Sequence, residues 1–121
     1  MAKRILVADD SVDFSHLLAT RLTKLGYGVI EAEDGREALD LIQRDKPDLI
    51  LLDYFLPSLN GDEICRSVKA DGALKHIPVI LLSASTAMLP PERYDAIPCD
   101  DRLTKPFEMS ALLEKITRLL S

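Results

Sequence analysis

The sequence predicts an α/β fold of three layers: a parallel five-stranded sheet in the order 2-1-3-4-5, with helices on both faces. Short apolar runs alternate with segments of helical period along the whole chain, which implies successive βα units. The first, third and fourth runs are solidly apolar, as strands covered on both faces are. The second and fifth runs carry polar residues and read as edges. Three central strands flanked by the second and the fifth fit that order.

The runs are Ile5–Ala8, Tyr27–Ala32, Leu49–Leu52, Val79–Leu82 and Asp101–Thr104. Gly28 and Glu31 dilute the second, and Asp101, Arg102 and Thr104 dilute the fifth. Between them, Leu17, Leu18, Arg21, Leu22 and Leu25 are expected to share one face of a first helix. Ala38, Leu39 and Ile42 mark a second helix, opened by Asp34 with Glu37 three residues on, the spacing of a capping box. Ile64, Cys65 and Val68 mark a third. Leu112, Leu113, Ile116, Leu119 and Leu120 mark the last. The fourth helical segment carries Pro90 and Pro91. Proline is costly inside a helix and cheap in its first turn, so this helix is expected to begin near them.

The 121 residues are one domain's worth, with no repeat, linker or low-complexity stretch and no output domain expected among them. The chain is 47% hydrophobic and 29% charged, enough for a core and for solubility. Its net charge of −5 argues against direct nucleic-acid binding, which wants a basic face. No apolar run is long enough to span a bilayer, and no signal peptide is evident, so no membrane role is expected. Cys65 and Cys99 lie far apart without metal-ligand spacing and read as two reduced thiols of a cytoplasmic protein.

The predicted strand order puts a topological switch point between the first and third strands, outside whose carboxyl ends ligands bind. Asp9 and Asp10 follow the first strand and Asp53 follows the third. Three carboxylates in one crevice repel one another, so either some hold protons or a cation sits among them. Hard oxygen ligands with open positions suit Mg²⁺. A single aspartate on a strand end is more often a helix cap; three at the same end of adjacent central strands point to a site. Ser83 ends the fourth strand and Lys105 follows the fifth. A hydroxyl, an ammonium and a divalent cation around an aspartate are what a phosphoryl group needs. Asp53 would then attack as a carboxylate nucleophile and form an acyl phosphate.

These residues resemble the receiver domains of two-component response regulators, over the whole chain. The likeness runs through the acidic pair in Leu6-Val7-Ala8-Asp9-Asp10-Ser11, through Asp53 with Leu56-Pro57 and Gly61, and through Pro78-Val79-Ile80-Leu81-Leu82-Ser83-Ala84. It ends at Lys105-Pro106-Phe107. The resemblance implies a flavodoxin-like fold, with Asp53 as phosphoacceptor and Asp10 as direct Mg²⁺ ligand. It also implies Asp9 acting through water and the Phe55 carbonyl as a further ligand. Ser83, Lys105 and the amides of Tyr54 and Ala84 would hold the phosphoryl oxygens, and Lys105-Pro106 would be a cis peptide. It implies a sensor histidine kinase or a histidine phosphotransfer protein as donor and an output partner of unknown kind. The only chemistry implied is the domain's own phosphorylation and dephosphorylation.

The chain departs from that pattern at Arg102, where the family usually places the aromatic that turns inward on phosphorylation. Arg102 is expected to stay near the surface, either paired with Asp100, Asp101 or a binding partner's carboxylate or solvated on the edge strand. Pro90, Pro91 and Pro98 are a second departure. Both leave open a degenerate receiver that docks partners without phosphate. A phosphatase with an aspartate nucleophile would want a second acid at position 55, where this chain has Phe55. A flavin carrier would want a phosphate loop where Asp9 and Asp10 would repel it.

Overall fold

The computed structural model describes residues 2–83 and 90–121. Its elements alternate as expected: β1 (Arg4–Ala8), α1 (Val12–Lys24), β2 (Gly28–Ala32), α2 (Gly35–Asp45), β3 (Leu49–Asp53), α3 (Gly61–Ala70), β4 (Val79–Ser83), α4 (Pro91–Asp95), β5 (Asp101–Thr104) and α5 (Met109–Leu120). All strand pairs are parallel and the order is β2-β1-β3-β4-β5. β3 and β4 are buried at every residue, whereas β2 and β5 are mostly half-buried, which is why only the central runs read as solidly apolar.

Alternation along the strands divides the core in two. Leu6, Ile50, Leu52, Val79 and Leu81 face α2, α3 and α4, packing with Ala38, Ile42, Ile64, Val68 and Tyr94. Ile5, Val7, Leu49, Leu51, Ile80 and Leu82 face α1 and α5, packing with Leu18, Leu22, Leu112 and Ile116. Fully burying such side chains stabilises by roughly 1.5–3 kcal/mol each, so the sheet is the most tightly held part of the molecule.

Side chains cap the starts of α1 and α2. The Asp34 carboxylate accepts from the Glu37 amide at 2.8 Å, and Glu37 accepts in return from the amide of Glu33 at 2.9 Å. α4 begins at Pro91 with Pro90 before it, as first-turn prolines allow. The face of α1 differs from expectation. Its buried residues are Ser15, Leu18, Ala19 and Leu22, at i, i+3, i+4 and i+7. Leu17 lies about 100° around the helix from Leu18 and is 60% exposed, and Leu25 caps the helix end and is 56% exposed. Arg21 is exposed as well. No helix among the described residues is long and apolar enough to cross a membrane. Cys65 and Cys99 are free thiols, as expected. Burial pushes the Cys65 thiol up to about 12, so it is inert packing.

Candidate functional site

Strand register assembles the site. Ala8 pairs with Leu52, so Asp9 and Asp10 leave β1 beside Asp53 at the end of β3. Asp53 pairs with Leu82, and Ser83 pairs with Thr104, so Ser83 and Lys105 arrive at the same edge from β4 and β5. One carboxylate oxygen from each of Asp9, Asp10 and Asp53 lies within 4.8 Å of the others. Lys105 reaches in from the far side, its Nζ 2.7 Å from Asp9 Oδ2 and 3.5 Å from Asp53 Oδ2. Asp9 and Asp53 are buried, and Asp10 is exposed. The site is therefore a crevice with one open side.

Local chemistry places each group. The Asp9 carboxylate accepts from the Ser11 amide at 2.8 Å, which turns the chain into α1, and Ser11 in turn caps that helix at the Phe14 amide. α3 begins against the end of β3, where the Gly61 amide donates to the Tyr54 carbonyl at 2.7 Å. A Cβ at Gly61 would stand 2.5 Å from the Asp53 carbonyl oxygen, so only glycine permits that approach. Lys105 is steered by its own amide, which donates to the Ser83 carbonyl at 2.7 Å, and by the Phe14 ring, 4.5 Å from Nζ. The Lys105-Pro106 peptide is cis.

Electrostatics single out Asp53. Burial pushes its carboxyl up to about 6; Lys105 opposes that rise, and Asp9 and Asp10 add to it. The group is nevertheless mostly ionised at pH 7, with a lone pair available for attack. The donor set is carboxylate oxygen throughout, which fits a hard divalent cation whose charge would relieve the mutual repulsion.

Four expected residues, Asp9, Asp10, Asp53 and Lys105, thus come together, and Ser83 ends the adjacent strand, buried. Phe55 is the second residue after β3 and exposes its ring, edge-on to Tyr54 at 4.7 Å. The Tyr54 amide is a correction: it donates to the Leu82 carbonyl at 2.9 Å, because the β3–β4 ladder runs one residue past Asp53, and it is not free for a ligand. Ala84 lies outside the described residues.

Arg102 is a second correction. It is half-buried, and its guanidinium donates to the carbonyls of Tyr94 at 2.6 Å and Ile97 at 3.1 Å and covers the Tyr94 ring at 4.6 Å. Neither expected carboxylate takes it: Asp100 pairs with Lys69, and Asp101 with Lys115 and Arg118. The carbonyls around the end of α4 take the guanidinium instead, on the lone pair that each keeps beyond the backbone amide it already accepts. Sequence reasoning missed Tyr94, whose hydroxyl lies 3.5 Å from Ser83 Oγ. An aromatic in a segment broken by prolines gives no periodic signal.

Comparison with known proteins agrees with this geometry. Residues 5–117 match the model of the response regulator receiver domain. The chain is 40% identical to the response regulator MprA of Mycolicibacterium vanbaalenii over 122 residues, 99% of this chain and 51% of that protein, so it spans about half the length of this curated relative. Among solved structures, the signal receiver domain of a histidine kinase from Syntrophus aciditrophicus superposes with a TM-score of 0.90 at 34% identity, covering 98% of this chain and 90% of that one. The response regulator TrrA of Thermotoga maritima, solved in complex with Mg²⁺ and beryllofluoride, superposes with a TM-score of 0.85 at 33% identity, covering 98% and 99%. The chain belongs to the response regulator receiver domain family, the signalling modules of two-component systems.

Proposed function

We propose that residues 1–121 form a single receiver domain that takes a phosphoryl group onto Asp53 and thereby switches its binding to an output partner. The donor would be a phosphohistidine of a sensor histidine kinase or of a histidine phosphotransfer protein, in the cytoplasm. One observation carries this reading: a buried, ionisable Asp53 shares its crevice with two more carboxylates and the Lys105 ammonium. A purely structural cluster would not set three like charges side by side.

Asp9, Asp10, Asp53 and the Phe55 carbonyl are the groups that would hold Mg²⁺. When bound, Mg²⁺ supplies positive charge against the phosphoryl oxygens. Asp53 acts as the nucleophile: one Oδ forms the bond to phosphorus as the nitrogen–phosphorus bond of the donor breaks, and the leaving imidazole keeps that electron pair and takes up a proton. Lys105 already stands between Asp9 and Asp53, so a small swing brings Nζ onto a phosphoryl oxygen. The Ser83 hydroxyl donates to another, and the Ala84 amide is assigned to the same task. Reversal needs only water at phosphorus, which returns the Asp53 carboxylate and inorganic phosphate. The beryllofluoride complex of the related TrrA supplies the mimic for this state.

Incubation with acetyl phosphate and Mg²⁺, followed by mass spectrometry, tests the proposal. One phosphoryl group is expected on the wild type and none on Asp53→Asn. Equal labelling of the two would overturn the assignment, and no labelling of either would favour a docking module.

A further inference from the structure

The hydroxyls of Ser83 and Tyr94 face each other inside the protein. Ser83 is 1% and Tyr94 8% exposed, and the two oxygens are 3.5 Å apart. That is long for a bond between hydroxyls, which settles about 0.7 Å shorter, so the contact has slack to take up. Either oxygen can donate. The Tyr94 ring is meanwhile fastened to β5, since the Arg102 side chain lies over it and bonds to the carbonyls of Tyr94 and Ile97. A planar guanidinium holds two carbonyls and a ring face at once, which an ammonium cannot do.

The geometry points to Tyr94 as the residue that positions Ser83 and reports its state, with Arg102 as the clamp that couples Tyr94 to β5. This rests on the reading of Asp53 as phosphoacceptor. Once the Ser83 hydroxyl donates a hydrogen bond to a phosphoryl oxygen, a charge-assisted bond, its lone pairs are left for Tyr94. The ambiguous contact becomes a directed chain, Tyr94 to Ser83 to phosphoryl, in which each bond polarises the next. Tyr94 is drawn inward, and α4 follows with the carbonyls that Arg102 holds. The moving aromatic of this domain therefore comes from α4, and Arg102 occupies β5 as its fastening.

Titration with beryllofluoride and Mg²⁺, followed by NMR with ¹³Cζ-labelled tyrosine, tests this on the whole chain. In the wild type the Tyr94 Cζ signal and the amides of Ile97 and Leu103 are expected to shift on binding. Tyr94→Phe keeps the ring under Arg102 and removes only the hydroxyl. It is expected to bind beryllofluoride about 2- to 10-fold more weakly, the effect of one net hydrogen bond, and to lose the shifts at Ile97 and Leu103. Arg102→Lys is expected to keep the Tyr94 response and lose the shifts at Ile97 and Leu103. A Tyr94→Phe variant that binds as tightly as the wild type, or more tightly, overturns the inference. So does a wild-type Tyr94 signal that ignores beryllofluoride while Lys105 responds. If beryllofluoride leaves the whole wild-type spectrum unchanged, the phosphoacceptor reading fails first and takes this inference with it.

Discussion

Replacing Asp53 by asparagine should stabilise the metal-free domain, and the gain should depend on pH. The side chains have the same shape, so packing is preserved and the charge is the main change. In the folded state the Asp53 carboxyl is pushed from 3.8 up to about 6, chiefly by burial. A raised acid binds more protons folded than unfolded, so its contribution to stability is fully present below 3.8 and is lost as pH rises through about 6. The shift corresponds to about 3 kcal/mol at pH 7.5, an upper figure because water reaches the crevice. Urea unfolding of both proteins in a chelator, at steps from pH 4 to pH 8, measures it. The difference between them removes the titration of every other group. Asp53→Asn should be more stable by up to about 3 kcal/mol at pH 7.5, with the gap closing towards pH 4. A variant no more stable than the wild type at pH 7.5, or a gap constant across pH, would refute the reasoning. The first result would mean that the ion pair with Lys105 outweighs burial.

Mg²⁺ at ten times its dissociation constant should stabilise the wild type by about 1.4 kcal/mol, read as a higher Tm, and Asp10→Asn should abolish most of that response. Gly61→Ala forces the start of α3 off the Asp53 carbonyl, so denaturant titration should show a loss of about 1–3 kcal/mol, and labelling by acetyl phosphate should slow. On α1, Leu18→Ala should cost about 2–5 kcal/mol, whereas Leu17→Ala, one residue earlier and exposed, should stay within about 0.5 kcal/mol. Equal costs at the two leucines would contradict the assigned face of that helix.

The sheet was legible in the sequence because burial on both faces leaves a plain mark. Leu49–Leu52 and Val79–Leu82 had no reason to alternate, and both turned out buried throughout. Asp9, Asp10 and Asp53 followed from the same pattern, since a residue at the end of a central parallel strand has only one edge to occupy. The faces of α1 were harder. Leucines at 17, 18, 22 and 25 fit two overlapping stripes, and only packing against Val7 and Leu51 decides for 18 and 22. The Tyr54 amide was misassigned because ladder length is set by pairing with β4, which no local signal in the loop reveals.

Arg102 shows most clearly what a one-dimensional reading leaves out. The premise, that an unpaired guanidinium is too costly to bury, holds. The expected pairing with Asp100 or Asp101 failed because partners need not be carboxylates. α4 is a five-residue helix, and the carbonyls of Tyr94 and Ile97 at and just beyond its end stand where Arg102 can reach them. Both carbonyls also accept backbone amides, Ile97's at Tyr94 and Cys99's at Ile97, and each has a second lone pair for the guanidinium. The turn that ends α4 and the arginine on β5 are therefore one structural feature. Pro90 and Pro91 set where the helix starts, the chain leaves it within two turns, and the spare lone pairs of two carbonyls in that turn are what makes a half-buried arginine affordable at a position where an aromatic would otherwise be expected.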